Sequence, residues 1–147
     1  MLLGWLELHR DIMAFKIEGL SEEQARFKPS STANSLLNLI VHLTGVERNW
    51  FQRVVAGNEI RRDRDAEFGD LSITVSDAVE SYRAECLGSN GVIDDVVPDD
   101  VCRGEPGYSV RWVLLHMIEE TARHAGHADI TRELIDGAVG WNRADRG

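Results

Sequence analysis

Glu120, His124 and His127, in the last third of the chain, offer the groups best suited to chemistry. They lie within Arg111 to Leu134, a stretch whose pattern reads as one long helix. A seam along it steps alternately four and three residues through Val113, Met117, Glu120, His124, His127, Thr131 and Leu134. That spacing lets one helix face its neighbours in a bundle. The ends of the seam are apolar, as a core requires, but its middle holds a carboxylate and two imidazoles. Burying such groups costs several kcal/mol unless something pairs with them. A divalent cation would pair with all of them at once. Glu120 and His124 stand one above the other on a helical face, so both can chelate one ion. His42, between Leu39 and Val46 on the edge of a second apolar stripe, is the best third ligand. Two histidines and one carboxylate with open positions suit Zn²⁺ in a catalytic arrangement, and also non-haem Fe²⁺ or Ni²⁺.

Each of these residues also has a quieter explanation. A lone histidine on an apolar face is more often a hydrogen-bonded core residue than a ligand. What favours an ion is the run of three ionisable groups on one seam with a fourth opposite. His127 fits three roles: a fourth ligand, a general base, or a donor that orients another ligand. His116 sits one position off the seam and reads as a helix-flank residue. His9 could line the pocket or be hydrogen-bonded in the core. Glu119 and Asp129 read as solvent-facing, with orienting an imidazole as the alternative. Arg48-Asn-Trp-Phe-Gln-Arg53 most simply packs the bundle and solvates its rim. The chain has no HExxH, GxSxG, P-loop or dinucleotide fingerprint.

Holding these groups together calls for several helices. Leu2, Leu6, His9, Met13 and Ile17 share a face of a first helix running to about Glu18, with Gly19 as its stop. Ser21-Glu-Glu-Gln24 has the form of a capping box, which predicts a short helical turn. Lys28 to Thr32 makes a loop. A second long helix begins between Thr32 and Ser35 and ends at Gly57, with Leu36, Leu39, Ile40, Leu43, Val46, Trp50 and Val54 forming its apolar stripe. A weaker third helix spans roughly Val75 to Leu87. Gly88 to Gly107 reads as an extended crossover loop, because the short run Val92 to Val97 has no strand to pair with. Ser109 caps the fourth helix, which runs to about Asp136 and stops at Gly137. The tail beyond Gly140 is polar apart from Trp141 and is expected to fray. The fold class expected is all-α: a four-helix bundle with long connecting loops, forming one domain over 1–147.

Composition narrows the partners. A formal charge of −9 over 147 residues argues against a nucleic-acid or acidic-membrane partner, because either needs a basic face. No stretch is long and apolar enough to span a bilayer, and the N-terminus lacks the basic start and unbroken apolar run of a signal peptide. Cys86 and Cys102 share no CxxC spacing and have no activating neighbour in sequence. They read as two unpaired thiols in a reducing cytosol. The expectation is a cytoplasmic protein.

Three stretches together resemble the DinB/YfiT-like superfamily over nearly the full length. They are Gly19-Leu-Ser-Glu-Glu-Gln24, Ser35-Leu-Leu-Asn-Leu-Ile-Val-His-Leu-Thr-Gly-Val-Glu-Arg-Asn-Trp-Phe51 and Trp112-Val-Leu-Leu-His-Met-Ile-Glu-Glu-Thr-Ala-Arg-His-Ala-Gly-His127. The resemblance implies a four-helix bundle whose divalent metal is held by a histidine of the second helix and two residues one turn apart on the fourth. His42 matches the first of these and His124 the last. Most relatives have histidine at the intermediate position, where this chain has Glu120. The mycothiol-dependent maleylpyruvate isomerases and related thiol transferases are similar in using glutamate there with zinc. Those isomerases carry an additional C-terminal domain, which is not expected here. The implied activity is metal-assisted activation of a low-molecular-weight thiol of the mycothiol type, which then attacks a small electrophile. His127, or a water held by it, would accept the proton. A metal-dependent hydrolase using metal-bound hydroxide and a non-catalytic, metal-stabilised helical module are the alternatives. Bundles of this kind often pair by their helix faces, so a homodimer is also expected.

Overall fold

The computed structural model describes residues 1–140; Trp141 and the expected fraying of the tail lie outside the described residues. Helix α1 spans Leu2–Ile17 and the short α2 Glu22–Ala25. Helix α3 spans Leu36–Glu47 and runs on without a break as a π-helix over Arg48–Val55. Helix α4 spans Val75–Asp94 and α5 Val110–Asp136. The all-α expectation holds: among the described residues the one β contact is an isolated bridge between Val101 and Ser109. No helix there is long and apolar enough to cross a membrane.

Polar residues next to the apolar runs start and stop these helices. The hydroxyls of Ser21, Ser35, Thr74 and Ser109 accept from the backbone N–H groups of Gln24, Asn38, Asp77 and Trp112, which would otherwise lack partners. Ser21 and Ser35 complete capping boxes with Gln24 and Asn38. Gly57 and Gly137 take φ of +79° and +74°, the left-handed turn that ends a helix and suits glycine.

Two core clusters fix the direction of each long helix. One joins the end of α1 (Ile12 to Ile17), the start of α3 (Leu36 to Leu43), the start of α4 (Ala78, Tyr82) and the end of α5 (Ala125, Ala128). The other joins Leu6, the π-helical residues Phe51, Val54 and Val55, and the start of α5 at Val110 to Met117. Helices α1 and α5 therefore run one way, and α3 and α4 the other, in an up-down-down-up bundle. Because α3 and α4 are parallel, the chain must travel back along the bundle between them. That return, residues 56–74, passes beside α3. The Asn38 amide donates to the backbone carbonyls of Glu67 (3.0 Å) and Gly69 (3.1 Å), pinning it one turn before His42.

Three expectations need correction. Helix α4 does not stop at Leu87, and the crossover-loop reading of Gly88 onward fails as far as Asp94. Ser89 is fully buried, Val92 and Ile93 pack on the second core cluster, and Asn90 bonds both Arg10 and Glu7. These contacts outweigh the cost of two helical glycines, about 1 kcal/mol each. Second, the buried stripe of α5 runs through Val113, Met117, Thr121, Ala125, Ala128 and Arg132. The expected seam drifts off it, leaving Glu120 and His124 half-buried, His127 exposed and Leu134 60% exposed. A straight α-helix has 3.6 residues per turn, so a strict seven-residue seam rotates by about 20° per heptad relative to it. Third, the wider turn of the π-helix brings Phe51 and Val55 inward and leaves Trp50 half-exposed.

Candidate metal centre

His42 projects from the middle of α3 and is only 4% exposed. Across from it, one turn apart on α5, are Glu120 and His124. Both Nε2 atoms point at one carboxylate oxygen: Glu120 Oε1 lies 3.4 Å from His42 Nε2 and 3.2 Å from His124 Nε2. One ligand atom from each of the three residues lies within 4.8 Å of the other two. The two imidazole rings meet edge-on with centroids 5.0 Å apart, and Phe68 packs on the other side of His42 at 4.8 Å.

The protons decide what this arrangement can hold. His42 Nδ1 lies 2.9 Å from Glu67 Oε2, and Glu67 is 6% exposed. An ionised carboxylate only accepts, so Nδ1 carries the proton and Nε2 presents its lone pair to Glu120. A lone pair facing a carboxylate oxygen requires a positive centre between them. Ligands bound to one tetrahedral ion at about 2.0–2.1 Å sit about 3.3 Å from one another, close to the two nitrogen–oxygen separations of 3.4 and 3.2 Å. An ionised N–H···O hydrogen bond would be shorter, about 2.7–2.9 Å. The donor set therefore fits a divalent cation. The adjoining imidazoles, His124 first and then His42, hold the Glu120 carboxyl well below the usual carboxylate range. His124 lacks the support that His42 has: its Nδ1 is buried without a hydrogen-bond partner among the described residues.

Glu67 is itself held in place. Arg62 donates from Nε to Oε1 at 2.7 Å and from Nη2 to Oε2 at 2.9 Å. This two-pronged pair fixes the carboxylate plane against His42. Gly45, one turn beyond His42 on α3, makes room for it. A Cβ there would overlap Glu67 Oε1 and crowd Arg62 Nε.

The remaining expected residues separate into groups. His127 is exposed, with its ring centroid 5.9 Å from that of His124, beside the cluster rather than within it. His116 joins Trp50, Tyr108 and Trp112 in an aromatic group. His9 is not among the three converging residues, and its Nδ1 is buried without a partner. Asp129 pairs with Lys16 and Glu119 with Arg123, so neither orients an imidazole. Both thiols are unsuited to attack. Burial, then the Glu47 charge, pushes Cys86 up to about 12, and burial raises Cys102.

Glu67, Arg62, Phe68 and Gly45 were not anticipated from the sequence. The first three lie in the polar stretch Glu59 to Asp70, where acids and arginines alternate as on any solvated connection. Ile60 and Phe68, the large apolar residues within that stretch, are the local signs that the segment packs against something.

Comparison with known families agrees with the geometry. No curated protein matches the chain. The profile of the Mycothiol-S-transferase family matches residues 1–137, from the start of α1 to the glycine that ends α5. With all five helices inside that match, the chain belongs to the Mycothiol-S-transferase family, a DinB/YfiT-like family.

Proposed function

We propose that the protein is a metal-dependent S-transferase. In this reading His42, Glu120 and His124 hold a divalent cation, Zn²⁺ for this donor set, and the nucleophile is a low-molecular-weight thiol such as mycothiol. The observation that carries the proposal is the convergence of two imidazole nitrogens and a carboxylate oxygen on one point. Family membership supplies the thiol. When bound, the ion supplies Lewis acidity that makes a thiol at its open position acidic enough to ionise at neutral pH.

The chain's own residues do the rest. Glu67 keeps the proton on His42 Nδ1, so Nε2 stays available as a ligand. Arg62 keeps the Glu67 carboxylate correctly turned. Phe68 fixes the plane of the His42 ring and excludes water from that side. His127, at the solvent edge beside His124, accepts the proton lost by the thiol and passes it to bulk water. The sulfur then forms its bond to the electrophilic carbon while the leaving group departs with the electron pair.

The test is direct. Zinc-loaded protein incubated with mycothiol and a haloalkyl electrophile should form the thioether well above the uncatalysed rate. No excess thioether from protein of verified metal content would overturn the assignment. Turnover of an ester with no thiol added would point to a hydrolase. His42→Ala should abolish metal retention, and unchanged metal content would remove His42 from the ligand set.

A further inference from the structure

Beside the three converging residues, the same seam between α3 and α5 carries a group of rings with no role assigned above. Trp50, Tyr108, Trp112 and His116 contact one another. Trp112 stacks nearly parallel on His116 (5.2 Å, 12°) and lies 4.4 Å from Tyr108, and Trp50 touches all three at 4.6–5.6 Å. None is buried, and Trp112 is 44% exposed. Trp50 and Tyr108 back onto the edge of the second core cluster, whereas Trp112 and His116 stand outside it, since Val113, Leu114 and Met117 of the same helix are its members. Among the described residues, the Tyr108 hydroxyl and the His116 ring nitrogens make no hydrogen bond. The result is an apolar shelf with unused polar groups at its rim.

The shelf is continuous with the candidate metal centre. Trp112, His116, Glu120 and His124 are successive positions four apart on α5, a row that winds about 40° around the helix at each step, and α3 and its π-helical continuation meet it at both ends, His42 at Glu120 and Trp50 at His116. At about 1.5 Å per residue, His116 stands about 6 Å and Trp112 about 12 Å along the helix from Glu120. Trp50 closes the α3 side, turned outward by the π-helix. A thiol whose sulfur sits at the three converging residues could lay the rest of its body along this row.

We propose that Trp112, with Tyr108 and His116, takes the polyhydroxylated ring of a sugar-bearing thiol such as mycothiol, and so sets the preference for that thiol over a bare cysteine derivative. The proposal rests on the thiol-transfer reading of the site. The C–H face of a sugar ring lies flat on indole, while its hydroxyls reach polar groups at the edge. A neutral shelf in a chain of charge −9 suits a neutral polyol better than an anionic or cationic group.

Calorimetric titration of zinc-loaded protein with mycothiol and with N-acetylcysteine, which offers a sulfur without the sugar, tests the assignment. Trp112→Ala should weaken mycothiol binding about tenfold and leave N-acetylcysteine within about twofold. Trp112→Phe, which keeps a ring, should restore most of the loss. Equal weakening of both thiols, or of neither, would overturn the proposal, as would an effect confined to the KM of the electrophile. A separate measurement isolates the shelf from the thiol reading. Saturation-transfer NMR on metal-free protein with the thiol-free glucosamine–inositol part of mycothiol should show contact that Trp112→Ala removes. Absence of that contact in the unsubstituted protein would sink the shelf alone. A cobalt-substituted protein showing no sulfur-to-metal charge-transfer band with either thiol would sink the thiol reading instead.

Discussion

His42 depends on a carboxylate 25 positions away in sequence, and Glu67 can reach it only because residue 45 has no side chain. Gly45→Ala should therefore act on metal binding more than on folding. The atoms a new methyl would strike are the flexible ends of Glu67 and Arg62, which can swing aside and leave His42 unsupported. Metal affinity, measured by competition with a chromophoric chelator, should fall about 10–100-fold, the usual effect of removing a partner that orients a ligand. Glu67→Gln should fall in the same range, and thermal stability of the metal-free forms should change little. At Cys86 the expectation concerns pH. The folded thiol titrates near 12 against an ordinary value of 9.0, so the stability carried by its protonated form is intact below about 9. It is lost as pH climbs from 9 toward 12. Native protein at pH 8 should leave Cys86 and Cys102 unmodified by a disulfide reagent that labels both in denaturant; rapid native labelling would contradict the burial described.

Among the elements, α3 and α4 both depart from simple helical readings, for opposite reasons. Helix α3 widens into a π-helix just past Glu47. There, buried Glu47 accepts two hydrogen bonds from Arg10 of α1, at 2.8 and 2.6 Å. The wider turn lets Glu47 keep this pair while Phe51, Val54 and Val55 still face the core. No residue type in Arg48 to Val55 signals such a turn, which is why regular spacing misplaces Trp50. Helix α4 instead runs on through two glycines because its far end is held by α1. Gly91 lies inside this helix with open space around it. Gly91→Ala should stabilise the protein by about 0.5–1 kcal/mol, read as a raised midpoint in urea at unchanged slope. A lowered midpoint would mean that this turn is not helical in solution.

At the scale of the molecule, most of the bundle was legible because its signals are local. Ser21, Ser35 and Ser109 mark where helices begin, Gly57 and Gly137 where they end, and apolar spacing supplies the faces between. Glu120 and His124 stood out for a related reason, since four-residue spacing on a helix is itself a geometric statement. Pairing them with His42 required only that two long helices face each other. The partner of His42 could not be read this way. Glu67 reaches it through a return connection whose path is set by the parallel run of α3 and α4 and by the Asn38 amide, both properties of the assembled fold. The exposure of His127 and Leu134 was hidden likewise, because a seam idealised at seven residues ignores the slow rotation of a straight helix.

The return connection has one more effect. Residues 56–74 lie mostly outside regular helix; Arg26 and the packing of Leu71 and Ile73 hold the end next to α4, and the part around Glu67 is attached to the bundle through Asn38 and through the Glu67–His42 contact. An occupied site favours the ring orientation of His42 that Glu67 grips, so occupancy and the anchoring of this strap reinforce each other. Stripping the ion should thus make the strap the first part of the protein that a protease cuts, with sites near Arg61, Arg62 and Arg64 cleaved by trypsin sooner than when zinc is restored. Equal digestion of the two forms would show that the strap is held without help from the centre it braces.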